Sequence, residues 1–365
     1  MGDKQFYMNL ALQLANSVVG QTSPNPTVGC VVVKNGRILG MGAHMKAGEP
    51  HAEVNALIQA GDEAEGADLY VTLEPCSHTG RTPPCADLVI EKKISRVYIA
   101  SLDPNPIVAG NGVAKLRDAG ISVDFGICEQ QARDLNKCYF HFMKTRKPYV
   151  TLKTAATFDG KTAASSGDSK WITSEDARLD VHRYRNRHDA ILVGVNTVIH
   201  DNPQLTTRLP QGGKNPIRIV LDTHLNIPIR SNLLNDKTAT TIVVCGRQAD
   251  KEKRAAIEQK GVQVKMMTGD TIEIEPLLNW LGEEQILSVF VEGGGAVHSS
   301  FVEAGCFQEI VMYMAPKLLN DREGTQAFSG MPKQLMKDSI PLAFKSVEQI
   351  GPDIKIVAEP MERRE

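Results

Sequence analysis

The segment His51-Ala52-Glu53, followed by Pro75-Cys76 and, after the eight-residue polar loop 77–84, by Cys85, constrains the fold of this chain more than any other. An imidazole and two thiolates are donors that a catalytic zinc accepts, with a fourth position left for water. For His51, Cys76 and Cys85 to serve one ion they must converge. The local patterns allow this: His51 opens a helical segment reaching Ala60, Leu69–Leu73 reads as a strand carrying Glu74-Pro75-Cys76 at its carboxyl end, and Cys85 opens a further helix toward Glu91. Helix starts favour thiolate over thiol. Glu53, two residues from His51, can take a proton from a water at the metal and return it to a leaving amine, so the chemistry expected is hydrolytic deamination.

Zinc deaminases carry H-x-E followed by P-C-x-x-C. Here the second cysteine is delayed by Ser77-His78-Thr79-Gly80-Arg81-Thr82-Pro83-Pro84, a loop too polar for a core, whose cation, imidazole and hydroxyls suit a phosphorylated substrate. The alternative is a structural zinc knuckle, which would close on a fourth Cys or His; His78 is the only nearby candidate. For Arg81 phosphate binding is the natural role, with a solvated loop charge as the alternative. His44 could be a ligand, a substrate contact or a surface residue.

At 365 residues the chain has room for two domains. A formal charge of −2 provides no electrostatic footprint for nucleic acid. The amino terminus lacks a signal-peptide pattern, and no stretch approaches the about 20 apolar residues of a membrane span, so a cytoplasmic protein without a membrane partner is expected. Seven cysteines, two of them assigned to metal, fit a reducing compartment. Cys30, Cys128, Cys138, Cys245 and Cys306 read as buried small apolar residues.

In the first half, a helix over 6–19 precedes a hairpin, with Val28–Val33 and Arg37–Gly42 joined at Asn35-Gly36. Strands at 96–101 and 121–124, a helix near 113–119 and a closing helix over 129–143 complete an α/β unit with a mostly parallel sheet. The basic stretch Lys144–Pro148 is the expected linker, dividing the chain into domains 1–145 and 149–365. Strand-like runs follow at 149–154, 190–193, 217–221, 241–245, 288–292 and 309–314.

The strand Val289–Glu292 runs into Gly293-Gly294-Gly295 and a helix through Val297, Phe301 and Val302. Such a junction lets backbone N–H groups approach a phosphate, although three glycines alone equally describe a plain strand-to-helix turn. Arg183, Arg185 and Arg187 share one helical segment. Residues two apart on a helix point in different directions, so at most one or two can reach one phosphate, and Arg185 is the choice. Lys153, in a strand, must face solvent or meet a partner.

Taken together, Pro24-Asn25-Pro26-Thr27-Val28-Gly29-Cys30, His51-Ala52-Glu53, Glu74-Pro75-Cys76 through Pro83-Pro84-Cys85, and Asp103-Pro104-Asn105-Pro106 resemble the amino-terminal half of the bifunctional riboflavin-biosynthesis deaminase/reductase family. The second half resembles the reductase half at Phe158-Asp159-Gly160-Lys161, Ser169–Ser174, Gly194-Val195-Asn196-Thr197 and Asp201–Arg208. The resemblance implies a cytidine-deaminase-like three-layer α/β/α domain and a dihydrofolate-reductase-like α/β domain. It implies zinc and NADPH as cofactors, pyrimidine ribosyl phosphates as substrates, and homo-oligomers formed through the reductase domains. It places Asn25, His44, His78, Arg81, Asp103 and Asn105 against the deaminase substrate. The dinucleotide falls to Ala155, Trp171, Thr197, Asp201, Gly294, Gly295, Ala296, Val297, His298, Ser299 and Ser300. Ser169, Arg185, Leu205, Arg208 and Glu292 line the ribityl-phosphate pocket, with Lys153, Asp201 and Glu292 handling the sugar and its proton. Two other readings stay open: a nucleoside or tRNA base deaminase with an unrelated second domain, and a zinc-containing sensor of pyrimidine or NADPH without turnover. Sparse aromatic residues and balanced charge speak against the first, and Glu53, which metal binding does not require, against the second.

Overall fold

The computed structural model describes residues 2–77, 83–105 and 109–361 and forms two compact units, Met1–Arg146 and Lys147–Glu365. The first contains α1 (Gly2–Ser17), β1 (Gly29–Lys34), β2 (Arg37–Ala43), α2 (Ala52–Ala60), β3 (Asp68–Leu73), α3 (Cys85–Glu91), β4 (Arg96–Ser101), α4 (Asn111–Asp118), β5 (Ser122–Phe125), α5 (Glu129–Leu135) and α6 (Lys137–Thr145). Its sheet has the order β2-β1-β3-β4-β5. Asn35 and Gly36 both have positive φ, as a two-residue hairpin of this type requires.

The sheet is less parallel than expected. β1 runs antiparallel to both β2 and β3, and only β3, β4 and β5 are parallel. The short hairpin reverses the chain at β1, and the parallel part begins only where helices supply crossovers. Val31 and Val33 face α1 and α5, packing with Met8, Ala11 and Ala132. Cys30 is paired with Gly42, on the face that carries α2. A Cβ at Gly42 would lie 2.4 Å from the Ala52 carbonyl oxygen, so this glycine sets how closely the first turn of α2 sits on the sheet. The expected single closing helix is instead two helices broken at Asn136, whose φ of −108° and ψ of 21° leave the helical range.

The second unit contains β6 (Tyr149–Thr157), β7 (Lys161–Ala163), α7 (Glu175–Arg187), β8 (Ala190–Gly194), α8 (Val195–Asp201), β9 (Ile217–Leu221), α9 (Asn232–Asn235), β10 (Thr241–Cys245), α10 (Lys251–Glu258), β11 (Gln263–Met266), α11 (Ile274–Glu283), β12 (Ser288–Val291), α12 (Gly295–Glu303), β13 (Glu309–Ala315), β14 (Thr325–Gln326), β15 (Leu342–Ile350) and β16 (Asp353–Pro360). Nine strands form one sheet, β11-β10-β9-β8-β12-β6-β13-β16-β15, parallel up to β13 and antiparallel through the last two. Side-chain alternation divides it into two packed faces. Val150, Leu152, Val289 and Val291 meet α11 and α12, whereas Phe290, Val311 and Tyr313 meet α7. By the same alternation Lys153 and Glu292 fall on the α7 face, and this places them beside Arg185.

Candidate functional site

In the first unit, His51 is the N-cap of α2, Cys76 follows β3, and Cys85 is the first residue of α3. His51 Nδ1 lies 3.2 Å from Cys85 Sγ and 3.7 Å from Cys76 Sγ, and all three donor atoms fall within 4.8 Å of one another. Tetrahedral zinc, with bonds of about 2.0–2.3 Å, separates its ligand atoms by about 3.6 Å, so the donor set fits that ion in spacing and chemistry. Among the described residues this is the one group of three or more His, Cys, Asp or Glu side chains that could hold a metal. The Cys85 amide donates to Cys76 Sγ at 3.3 Å. Contact between the sulfurs holds Cys76 well below the ordinary thiol range and pushes Cys85 up.

Glu53 lies in the first turn of α2 and is 3% exposed. Burial pushes its carboxyl up to about 7, with the charge on Cys76 acting the same way and His51 opposing. A divalent cation beside it would favour the carboxylate. His44 is also buried: its Nδ1 meets the Pro50 carbonyl at 3.2 Å and its Nε2 meets Asn25 Nδ2 at 3.0 Å. A neutral ring donating to Pro50 and accepting from Asn25 satisfies both contacts, and burial lowers the His44 pKa accordingly. The His44 and His51 rings stand edge to face with centroids 5.1 Å apart, which brings Asn25 and His44 to the metal ligands.

Asp103 and Asn105 reach the same region by another route. The buried Glu74 carboxylate accepts from the backbone amides of Asp103 (3.3 Å), Gly110 (3.0 Å), Gly112 (3.0 Å) and Val113 (3.2 Å). One side chain thus ties the loop after β4 to the turn that carries Cys76. Asp103 Oδ1 in turn accepts from the Asn105 amide at 2.8 Å. Sequence reading missed Glu74 as an organiser, although an acidic residue leaving a buried strand beside a ligand was a signal. His78 and Arg81 lie outside the described residues.

In the second unit, Glu292 follows β12 and is gripped by Arg185 of α7 through Nε at 2.6 Å and Nη2 at 3.0 Å, with Lys153 Nζ at 3.7 Å. Burial would raise this carboxyl, but Arg185 and Lys153 outweigh it and hold it at about 2. Burial lowers Lys153, with Arg185 adding to the effect and Glu292 opposing it. Arg185 also donates to the Thr206 carbonyl at 3.1 Å, anchoring the loop that bears Leu205 and Arg208. Of the three arginines on α7 considered from sequence, Arg183 instead pairs with Asp180, and Arg187 is exposed. Burial, then Arg185 and Arg208, push His182 down to about 4. Lys153, Arg185 and Arg208 thus gather around the single carboxylate of Glu292, and the Arg208 guanidinium makes no hydrogen bond or ion pair among the described residues.

The remaining sequence-derived positions divide. Asp201 does not join Lys153 and Glu292; it ends α8, half exposed, with Lys170 Nζ at 3.6 Å. Leu205 is buried in the core with φ of 54°, so its backbone rather than its side chain is available. Trp171 is 64% exposed beneath Arg178, and Ala155, Ser169 and Thr197 are half-buried. At the start of α12, a Cβ at Gly293 would lie 2.7 Å from Val297 Cβ and one at Gly295 2.7 Å from the Gln326 carbonyl oxygen, whereas one at Gly294 meets open space. Two of the three glycines thus answer to packing. The side chains of His298 and Ser299 point inward, to the Ala327 and Val291 carbonyls and to the Ser329 amide. The side chains of Val297, His298 and Ser299 are thus spent on packing, while the first turn of α12 (Gly295, Ala296, Val297) presents backbone N–H groups that have no acceptor within the helix. The Ser300 hydroxyl donates to the Ala296 carbonyl at 3.0 Å.

Residues 148–356 match the family model described as RibD C-terminal domain, and residues 1–101 match the cytidine and deoxycytidylate deaminase zinc-binding region. A riboflavin biosynthesis protein RibD of Bacillus amyloliquefaciens is 52% identical over 362 residues, 99% of this chain and 98% of that protein. The chain belongs to the RibD family. Another RibD, from Escherichia coli strain K12, is 40% identical over 96% of this chain and 97% of its own length. Among solved structures, a RibD from Acinetobacter baumannii superposes with a TM-score of 0.90 at 38% identity. A diaminohydroxyphosphoribosylaminopyrimidine deaminase/5-amino-6-(5-phosphoribosylamino)uracil reductase from Thermotoga maritima does so with 0.88 at 36%, and both alignments cover 99% of each chain. The fold is therefore the RibD one, a cytidine-deaminase-like domain followed by a dihydrofolate-reductase-like domain. The zinc-binding match stops at residue 101, so α4, α5 and α6 lie beyond it.

Proposed function

We propose that the first unit hydrolyses the 2-amino group of 2,5-diamino-6-(5-phosphoribosylamino)pyrimidin-4-one and that the second reduces the ribosyl group of the deaminated product to ribityl with NADPH. The observation that carries this reading is the convergence of His51, Cys76 and Cys85 beside the buried Glu53, in a chain that aligns end to end with RibD relatives. Bound zinc supplies a Lewis acid that brings the pKa of water to about 7. Glu53 would carry two protons in turn: one from the attacking water to the ring nitrogen as the C–O bond forms, and a second from the new hydroxyl to the leaving amine as the C–N bond breaks, releasing ammonia and leaving the carbonyl. Asn25, held by His44, offers a donor and an acceptor to the pyrimidine; Asp103 and Asn105 are assigned to the substrate as well, as are His78 and Arg81.

In the reductase, bound NADPH would supply a hydride to C1′ of the substrate, and the chain's own residues would have to bring a proton to the departing ring oxygen or the imine nitrogen. Glu292, held ionised by its two cations, has no proton to give near neutrality; Lys153 has one, and Glu292 and Arg185 orient it. Arg208 is assigned to the substrate phosphate, since Arg185 is engaged by Glu292. Backbone amides from Gly294 to Val297 are assigned to the pyrophosphate, with Ala155, Trp171, Thr197 and Asp201 bordering the dinucleotide and Ser169 and Leu205 the ribityl pocket. Among the described residues no helix is long and apolar enough to cross a membrane, and cysteines that form no disulfide suit a reducing, cytoplasmic setting. Association through the reductase halves belongs to the same proposal.

The test incubates zinc-loaded protein with the diaminopyrimidinone ribosyl phosphate while ammonia and NADPH are followed. Ammonia release, then NADPH oxidation dependent on the deaminated product, is expected. Glu53→Gln should retain zinc and lose ammonia release. Folded, zinc-loaded protein that releases no ammonia and oxidises no NADPH would overturn the reading.

A further inference from the structure

The break between α5 and α6 has a purpose that the zinc ligands do not explain. Asn136, 5% exposed, leaves helical geometry and turns its amide onto one residue of the loop before β1. Its Oδ1 accepts from the Thr27 amide at 2.8 Å and from Thr27 Oγ1 at 3.2 Å, and its Nδ2 donates to the Thr27 carbonyl at 2.9 Å. A single side chain thus saturates the main chain of Thr27, as a neighbouring strand would. Two residues earlier in that loop is Asn25, which meets His44 beside the metal ligands.

One helical turn further on, Tyr139 reaches the other loop. Its hydroxyl, in a side chain 8% exposed, donates to Asp103 Oδ1 at 3.1 Å and also interacts with Asn105. Burial and the Asp103 charge raise the Tyr139 pKa, so the phenol remains a donor. Positions 136 and 139 are three apart, the spacing at which residues at a helix start share a face. From that face they hold both loops assigned to the pyrimidine. Both residues lie beyond the part of the chain that matches the zinc-binding region, which ends at residue 101.

We propose that Asn136 and Tyr139 are positioning residues of the deaminase: they place Asn25 and the Asp103/Asn105 pair for the pyrimidine, and so govern substrate affinity without touching the metal or Glu53. The inference rests on the deaminase reading above. A purely structural pair would fail differently. Losing it would loosen the unit, and zinc retention and turnover would fall together.

The test uses the full chain loaded with zinc, as wild type, Tyr139→Phe and Asn136→Ala. Ammonia release is measured against concentration of the diaminopyrimidinone ribosyl phosphate, zinc content by metal analysis, and NADPH oxidation with the deaminated product as an internal control from the other unit. Losing a hydrogen bond to a carboxylate, worth about 1.5 kcal/mol, should raise KM about tenfold in Tyr139→Phe. The turnover number should stay within about twofold if the transition state loses no further contact. Zinc content and reductase activity should match wild type. An unchanged KM, or a fall in turnover that tracks zinc loss, overturns the inference. If Asn136→Ala does not fold, Tyr139→Phe, which keeps its ring buried, decides alone. Wild-type protein that releases no ammonia would sink the deaminase reading itself and take this inference with it; a turning-over wild type with an indifferent Tyr139→Phe sinks the inference only.

Discussion

Replacing Glu292 by Gln isolates the charge that organises the second unit. The glutamine keeps the shape and an acceptor for Arg185 but behaves as a permanently protonated acid. Glu292 is held at about 2 instead of its ordinary 4.5, a difference of about 2.5 units, and at about 1.4 kcal/mol per unit the ionised form stabilises the fold by roughly 3 kcal/mol near neutrality. Because the folded pKa is depressed, this contribution is fully present above about pH 4.5 and is lost as pH falls through about 2. At about pH 3 the same relation leaves roughly 1.4 kcal/mol. The two tryptophans of the chain, Trp171 and Trp280, both lie in the second unit, so their fluorescence follows its unfolding selectively. Denaturant titrations should find Glu292→Gln about 3 kcal/mol less stable than wild type near neutral pH, with the gap halved or less at about pH 3. A variant as stable as wild type near neutrality, or a deficit that does not shrink in acid, would refute the reasoning. It would mean that Arg185 and Lys153 find other partners, or that the carboxylate is solvated more than its burial implies.

Gly293→Ala places a methyl where Val297 Cβ would be 2.7 Å away, so α12 must shift; a loss of about 1–3 kcal/mol in the same fluorescence titration and a raised KM for NADPH are expected. Gly294→Ala, with open space at its Cβ, should leave stability near wild type, so any rise in its KM for NADPH reports on the ligand alone. Chelation of zinc should abolish ammonia release while sparing NADPH oxidation with the deaminated product, and restoring zinc should restore ammonia release, measured on one sample throughout.

The elements that were legible carry strong local signals. Asn35-Gly36 between apolar runs predicted the hairpin, and the apolar strands at 217–221 and 241–245 were found to the residue because both faces are buried and the runs end abruptly. The strands β15 and β16 went unread because they form the antiparallel edge of the large sheet: β15 exposes Phe344 and Val347, so burial imposes no clean alternation on it. The closing helix was read as continuous because helical periodicity runs through 136, and nothing local reveals that Asn136 is needed by Thr27, more than a hundred positions earlier.

The same division holds for the sites. His51, Cys76 and Cys85 could be grouped from sequence because zinc chemistry demands specific donor types, and each sits at the start of a helix or just past the end of a strand, where local pattern marks the position. Which arginine meets which acid could not be named. Arg185 faces the sheet and Arg183 does not because of the register of α7 on β6 and β12, and that register follows from how side chains such as Val181 and Phe290 pack. Likewise, whether a glycine serves a phosphate or a neighbouring valine depends on a distance of closest approach, which arises only when the helix is docked. Residue type and local spacing determined the chemistry this chain can perform; the packing of distant segments decided which side chains are left free to perform it.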